Sequence, residues 1–381
     1  MLLEGVSVVE WSDDIASQFA ARLLTDMGAT TLKLEPPGGS AQRRKGPFWP
    51  QQENGQSDPA SAFFDFLNAG KSCRTAGSAT QDAANELLGA LETAGVLVES
   101  GLDAALGSQG ITTESLRRKF PGLVVLSISP LGLEAKADVP DSDFLLQHRS
   151  GLTHCMARPV SDPASQPPLA AADHEAPLAV GVCGALSVVW GLLVAETGEN
   201  APRIDLASQD FYTSLLLDEF RQWIRGERNF ARGRGPRQGV APAGGISWLL
   251  PARNGYFMVS PREQHQWERW VEVLGSPDWA RDRDLCGTVD VRKSQWEELL
   301  ALMSDWSASQ AAEDIAEKAQ AAGVACFPVS RPAQLLSNAQ LLHRQFFDRL
   351  SGPDGTKVPV PGLPGQIVTT SGRRLGRNRL L

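Results

Sequence analysis

From Leu178 to Val194 the chain is almost wholly apolar, and no other stretch restricts the possible folds so tightly. A helix that is apolar all round has to be covered, by a protein core or by lipid. Pro177 stands where a first helical residue would, because a missing N–H costs nothing there. Thr197-Gly198 closes the run with a glycine suited to the left-handed turn after a helix. The expectation is a buried helix of about 17 to 20 residues. Gly181, Gly184, Ser187 and Gly191 interrupt it, which favours a core helix over a membrane span. The chain then returns as a short strand, Arg203 to Leu206. Asp173 and Glu175 lie just before the helix, where unpaired backbone N–H groups favour negative charge.

The N-terminal third supplies a sheet for such a helix to cover. Val6 to Trp11 reads as a strand, Ile15 to Met27 as a helix from the spacing of Phe19, Ala20, Leu23, Leu24 and Met27, and Thr30 to Glu35 as a second strand. Two parallel strands joined by a helix need a sheet covered on both faces. The order recurs: a helix ending near Thr93, a strand Val96 to Glu99, a helix Thr113 to Phe120 and a strand Leu123 to Ile128. The fold class is therefore α/β, with a Rossmann-like doubly wound large domain. The first strand is followed by Trp11-Ser-Asp-Asp-Ile15 rather than GxGxxG, so a dinucleotide site is not supported.

After Leu206 a helix carrying Phe211, Leu215, Leu216, Phe220 and Trp223 is expected, then a Gly/Arg/Pro-rich linker, 232 to 245. At 381 residues one core is too small an answer, and a smaller α+β domain should follow. Its elements are a strand Gly255 to Ser260, helices near 262–274, 292–305 and 309–321, and a strand Val324 to Val329. The turn-rich stretch 345–381 is expected to pack back on the first domain. Residues 1–225 and 331–381 then form the large domain, and 226–330 the linker and small domain.

A net charge of -8 argues against general nucleic-acid binding, and basic clusters such as Arg232-Gly-Arg-Gly-Pro-Arg237 are short. A small-molecule partner fits better. Five scattered cysteines without a CxxC pair suit reduced thiols, offer no metal site and, with no secretory signal at Met1, point to the cytoplasm and away from a membrane.

Several stretches in order along the chain resemble a known family. They are LEGVSVVEW, then FAARLLTDMGATTLKLEPPGG with Arg43-Arg44 and Gly46-Pro47, and Phe66-Leu-Asn-Ala-Gly-Lys71. Asp143 to Gln147 with Ser150-Gly151 follows, then Glu196-Thr197-Gly198 before Ile204-Asp205. Asn254-Gly-Tyr-Phe257, Gln266-Trp267 and Ala321-Ala-Gly-Val324 before Pro328-Val329 complete the series. Together they resemble the family III CoA-transferases, relatives of α-methylacyl-CoA racemase.

That resemblance implies an interlocked dimer and a covalent mechanism. An aspartate at the start of the central helix attacks an acyl-CoA thioester, giving an acyl-enzyme anhydride and CoA thiolate, before a small carboxylic acid takes its turn. The substrates would be an acyl-CoA and an acid, with no tightly bound cofactor. The assembly would be a homodimer, or a hetero-oligomer with a paralogue.

In this chain the nucleophile's position falls on Pro177, which has no reactive group. Glu175 and Asp173 are the nearest carboxylates. Two readings stand: they favour the helix end, or one of them is the acyl acceptor. His174 beside them is a candidate acid or base. Arg43, Arg44 and Lys45 are candidates for the CoA phosphates and Lys71 for the pantetheine arm, while Gly244-Gly245 resembles a glycine loop that covers the reacting carboxylate. The family's Val-Glu-Asn-Phe-Arg-Pro reads Val98-Glu99-Ser100-Gly101-Leu102 here, its Ser-Gly-Phe-Gly reads Ser129-Pro130-Leu131-Gly132, and the racemase's histidine position is Ser142. Alternatives to transfer are therefore a catalytically silent subunit, or a lyase or isomerase acting on CoA thioesters.

Overall fold

The computed structural model describes residues 2–50, 59–77, 80–135, 142–155, 165–226, 237–238, 246–365, 367–368 and 374–375. Its chain divides into two compact units: Met1–Thr153 with Ala170–Arg221 and Asn338–Leu381, and His154–Leu169 with Gln222–Ser337.

The first unit begins β1 (Ser7–Trp11), α1 (Ile15–Asp26), β2 (Thr30–Glu35), α2 (Ala62–Asn68), β3 (Ser72–Thr75), α3 (Thr80–Leu91), β4 (Val96–Glu99). It continues α4 (Leu102–Leu106), α5 (Thr113–Lys119), β5 (Val124–Ser129), α6 (Asp143–Arg149), α7 (Leu152–Cys155), α8 (Glu175–Ala195), β6 (Arg203–Ala207), α9 (Ser208–Ser214) and α10 (Leu217–Ile224), whose last residues enter the second unit. Six strands form one parallel sheet in the order β3-β2-β1-β4-β5-β6.

The two faces follow from the two-residue period of a strand. Val8, Val96, Val98, Val124, Leu126 and Ile128 point to one side, where α1 and α8 cover them through Ala20, Leu24, Val180, Ala185 and Val188. Their neighbours Val9, Leu97 and Val125 point to the other side, against Leu87, Leu91, Leu102 and Leu116 of α3, α4 and α5. Small residues let α8 lie close: a Cβ on Gly181 would meet the Ala16 carbonyl oxygen at 2.7 Å, and one on Gly191 would meet Val124 at 2.8 Å.

Three expectations are corrected here. The apolar helix begins at Glu175, so Pro177 is its third residue and Glu175 lies inside the first turn. Proline is tolerated anywhere in that turn because its N–H would be unpaired in any case. The helix is also not a fully buried one, since Val182, Leu186, Trp190 and Leu193 on its far side are 53, 68, 68 and 58% exposed. It is long and apolar enough to cross a membrane by length and composition. The single helix expected over Phe211 to Trp223 is broken after Ser214 into α9 and α10.

The second unit holds β7 (Arg237–Gln238), β8 (Ile246–Ala252), β9 (Gly255–Val259), α11 (Gln264–Val273), α12 (Arg283–Cys286), α13 (Val289–Ser294), α14 (Trp296–Ser307), α15 (Ala312–Ala321) and β10 (Cys326–Pro328). Its antiparallel sheet runs β10-β9-β8-β7 over a core around Trp248, Phe257 and Trp270. The hairpin β11 (Phe347–Ser351) and β12 (Lys357–Pro361) belongs to the first unit, where it packs Leu350 and Val360 on Trp49.

Candidate active site

In a doubly wound sheet the ligand crevice lies beyond the carboxyl ends of the strands, where the strand order reverses. Here the reversal falls between β1 and β4, and a cavity of about 630 Å³ opens at that place. Asp13 and Asp14 after β1, Ser100 after β4, Ser129 at the end of β5 and Ser208 after β6 line it. Asp143 and Gln147 of α6 and Asp173, His174 and Pro177 at the start of α8 complete the wall.

Asp173 has φ +50°, a left-handed conformation that aspartate tolerates better than most side chains and that clusters at functional sites. The approach to it is braced. Gln147 Oε1 accepts from the Ala171 N–H at 2.8 Å, Gln147 Nε2 donates to Asp143 Oδ2 at 2.6 Å, and the Tyr212 hydroxyl donates to Asp143 Oδ1 at 2.5 Å. His174 takes the cap position of α8 without a capping bond, and its ring stacks on Phe63 with centroids 4.5 Å apart. Glu175 is exposed and does not line the cavity.

The two aspartates after β1 differ. Asp13 accepts from the Ser40 hydroxyl and the Ala41 N–H. Asp14 caps α1, its Oδ1 accepting from the Ser17 N–H at 2.8 Å, while its Oδ2 is buried without a hydrogen-bond partner among the described residues. Burial pushes this carboxyl above the usual range, opposed by Ser17, the nearby Ser100 hydroxyl and the Lys33 charge.

The cations expected at coenzyme A are spread out. Arg43 is bidentate on Glu35, with both bonds 2.7 Å, and lies over the Phe64 ring. Arg44 and Lys45 are exposed, and Lys45 lines the cavity. Lys71 is buried, and its ammonium donates to Glu10 Oε2 (2.7 Å), the Gln18 carbonyl (2.7 Å) and Asn68 Oδ1 (3.0 Å), which uses all three N–H groups. Glu10 also accepts from Lys33 at 2.6 Å, a partner that the β1–β2 register places directly opposite. Burial pushes Lys71 down to about 8. Burial also works to raise Glu10, but the two ammoniums outweigh it and hold that carboxyl below its usual range. Gly244 and Gly245 lie outside the described residues.

Residues 3–378 match the family model of CoA-transferase family III. The chain belongs to that family. Among curated family III relatives, the succinate–glutarate CoA-transferase of Agrobacterium fabrum is 24% identical over 94% of this chain and 87% of its own length. A subunit of the succinyl-CoA:(R)-benzylsuccinate CoA-transferase of Thauera aromatica is 27% identical, over 94% and 87%. The crystal structure of a CAIB/BAIF family protein from Brucella suis shares the fold with a TM-score of 0.84 at 23% identity, covering 99% of this chain and 95% of that one.

Of the residues expected from the sequence, Asp173, His174 and Lys45 line the cavity, and Asp13, Asp14, Asp143 and Tyr212 line it with them. Asp143 belongs to one of the motifs that carry the family resemblance, whereas Asp13, Asp14 and Tyr212 carried no signal by themselves. The usable clue was the pair Asp13-Asp14 at the carboxyl end of a first parallel strand, the place where doubly wound sheets bind ligands. No cluster of three or more metal-ligating side chains exists among the described residues.

Proposed function

We propose that the protein transfers coenzyme A between an acyl-CoA thioester and a carboxylic acid, with Asp173 as the carboxylate that receives the acyl group. The observation that carries this choice is that Asp173, in a left-handed conformation two residues after the Ala171 N–H that Gln147 holds, lines the cavity wall, while Glu175 does not. Pro177 is on the same wall, so the acid stands one helical turn before the residue where the family resemblance puts the nucleophile.

An Asp173 oxygen attacks the thioester carbonyl carbon, the C–S bond breaks, and its electron pair leaves on sulfur as CoA thiolate. The acceptor carboxylate attacks the Asp173 carbonyl carbon of the anhydride and releases the first acid. The thiolate then attacks the new acyl carbon and frees Asp173. Arg44 and Lys45, exposed beside the cavity, are assigned to the CoA phosphates, and the thioester enters as substrate rather than as a resident cofactor. The names of the curated relatives, which include succinate, glutarate and benzylsuccinate, support a small organic acid as acceptor.

The test is chemical trapping. Acetyl-CoA or succinyl-CoA followed by hydroxylamine should convert Asp173 to a hydroxamate, found on the peptide holding residues 173–175. A label on Glu175 alone, or no label with either thioester, sinks the assignment.

The proposal includes a dimer and a cytoplasmic location, the latter suited to five free cysteines. The open face of α8 is an apolar stripe that water should not touch, and a second copy of the chain is its proposed cover. Leu186→Glu with Trp190→Glu should turn a dimer into a monomer in sedimentation velocity; a double variant that sediments as wild type refutes this use of the face.

A further inference from the structure

The cavity's carboxylates are not equivalent. Asp13 and Asp143 are each held by two protein donors, and Asp173 is exposed. Asp14 alone of the four has a buried oxygen with no partner among the described residues, on the wall of the same cavity. An anionic carboxyl in that position loses hydration that Ser17, Ser100 and the Lys33 charge do not make good, and Oδ2 itself accepts no hydrogen bond among the described residues. A neutral acid avoids the cost, but its O–H then needs an acceptor.

We propose that Asp14 carries a proton on Oδ2 and donates it in a hydrogen bond to the carbonyl oxygen of the acyl group that Asp173 attacks. This rests on the reading of Asp173 as acyl acceptor. The proton stays on Asp14 throughout, and no bond to it breaks. As the carbonyl becomes tetrahedral its oxygen gathers negative charge, and a donor fixed by the fold stabilises that charge more than it stabilises the ground state. The helix packing supports the placement: Gly181 of α8 lies against the Ala16 carbonyl of α1, which brings the first turns of the two helices, and so Asp14 and Pro177, to one cavity.

The same arrangement makes acylation sensitive to pH. The charged or titratable groups facing Asp14 are Lys33 on β2 and Asp13, Lys45, Asp143, Asp173, His174 and Tyr212 around the cavity. Burial outweighs the Lys33 charge, so the proton is held above the ordinary carboxylate range. As pH rises through the Asp14 pKa the donor is lost, and acylation should fall about tenfold per pH unit.

The experiment measures hydroxamate formation from acetyl-CoA in a single turnover, across pH, in the full-length protein. Asn at position 14 caps a helix as well as Asp and presents an N–H at every pH, so Asp14→Asn should fold normally and lose the fall at high pH. Asp14→Ala should acylate about a hundredfold more slowly at every pH, with a flat profile. Gln42→Met removes the other unpartnered acceptor on this wall and should keep the wild-type profile. The proposal is overturned if Asp14→Asn is as slow as Asp14→Ala, if it keeps the wild-type fall, or if Gln42→Met abolishes that fall. Asp173→Asn separates the two ideas. Hydroxamate that survives this change removes the reading beneath, whereas an Asp173-dependent reaction with unaltered pH response in Asp14→Asn removes the Asp14 proposal alone.

Discussion

Asp173→Asn is expected to slow CoA transfer on the order of a thousandfold or more, while Glu175→Gln stays within a few-fold of the wild type. The amide keeps the size and the tolerance for φ +50°, so a loss of rate reports the missing nucleophile and not a collapsed loop. Removing the group that forms the covalent intermediate has effects of this size in enzymes whose remaining groups act as one unit with it. Glu175 sits in the first turn of α8, exposed and off the cavity wall. Its loss removes only a favourable charge near the helix N-terminus, about 0.3–1 kcal/mol of helix stability. Steady-state transfer of labelled succinate from succinyl-CoA reads both variants, and the reverse ranking would make Glu175 the reagent.

Glu10→Gln is expected to destabilise the first unit by about 3–5 kcal/mol in urea unfolding. Glu10 lies on β1 with its carboxylate fully buried between the ammoniums of Lys33 and Lys71. Without it both cations remain in the interior with no counter-charge. Lys71→Met should cost less, because Glu10 then still neutralises Lys33 and the methionine fills the stem's volume. The pH dependence follows from the direction of each shift. Lys71 gives up its proton near 8 in the folded chain and near 10.5 when unfolded, so between those values the unfolded state binds more protons and this residue's contribution to stability rises with pH. The lowered Glu10 behaves oppositely: its contribution is present above the ordinary carboxylate range and is lost as pH falls through its folded value. A change below about 1 kcal/mol in Glu10→Gln would mean that the triad is not assembled in solution.

The sheet was largely legible because its strands are buried on both faces. Continuous runs such as Val96 to Glu99 and Val124 to Ser129, separated by helical spacing, leave little alternative to parallel strands. Other elements were hidden for identifiable reasons. Strand β3, Ser72–Thr75, is exposed along its length and carries no apolar signal. The hairpin β11–β12 buries only Leu350 and Val360, against a tryptophan about 300 residues earlier in the chain, so its hydrophobic partner is invisible locally. Strand β8, Ile246–Ala252, directly follows the Gly/Arg/Pro-rich linker and was not among the expected elements.

Within the candidate site the split is sharper. Asp173, His174 and Glu175 were visible as a group because polar residues at the mouth of a long apolar helix stand out. Asp173 and His174 line the cavity and Glu175 does not, which becomes visible only when the chain before α8, left-handed at Asp173 and bonded to α6 at Ala171, is in place. Lys71 resembled a cation for a ligand, yet the approach of β1, α1 and α2 gives its ammonium three protein acceptors.

The linear order of residues determined the class of fold, the parallel sheet, the long apolar helix and membership of CoA-transferase family III, because each is set by local periodicity or by motifs strung along the chain. Only the tertiary structure decided which carboxylates share a cavity, that one Asp14 oxygen has no partner among the described residues, and that Val182, Leu186, Trp190 and Leu193 of α8 are exposed in the single chain. Those properties depend on distances between segments far apart in the chain, and charge, burial and pairing are defined only once those segments have packed.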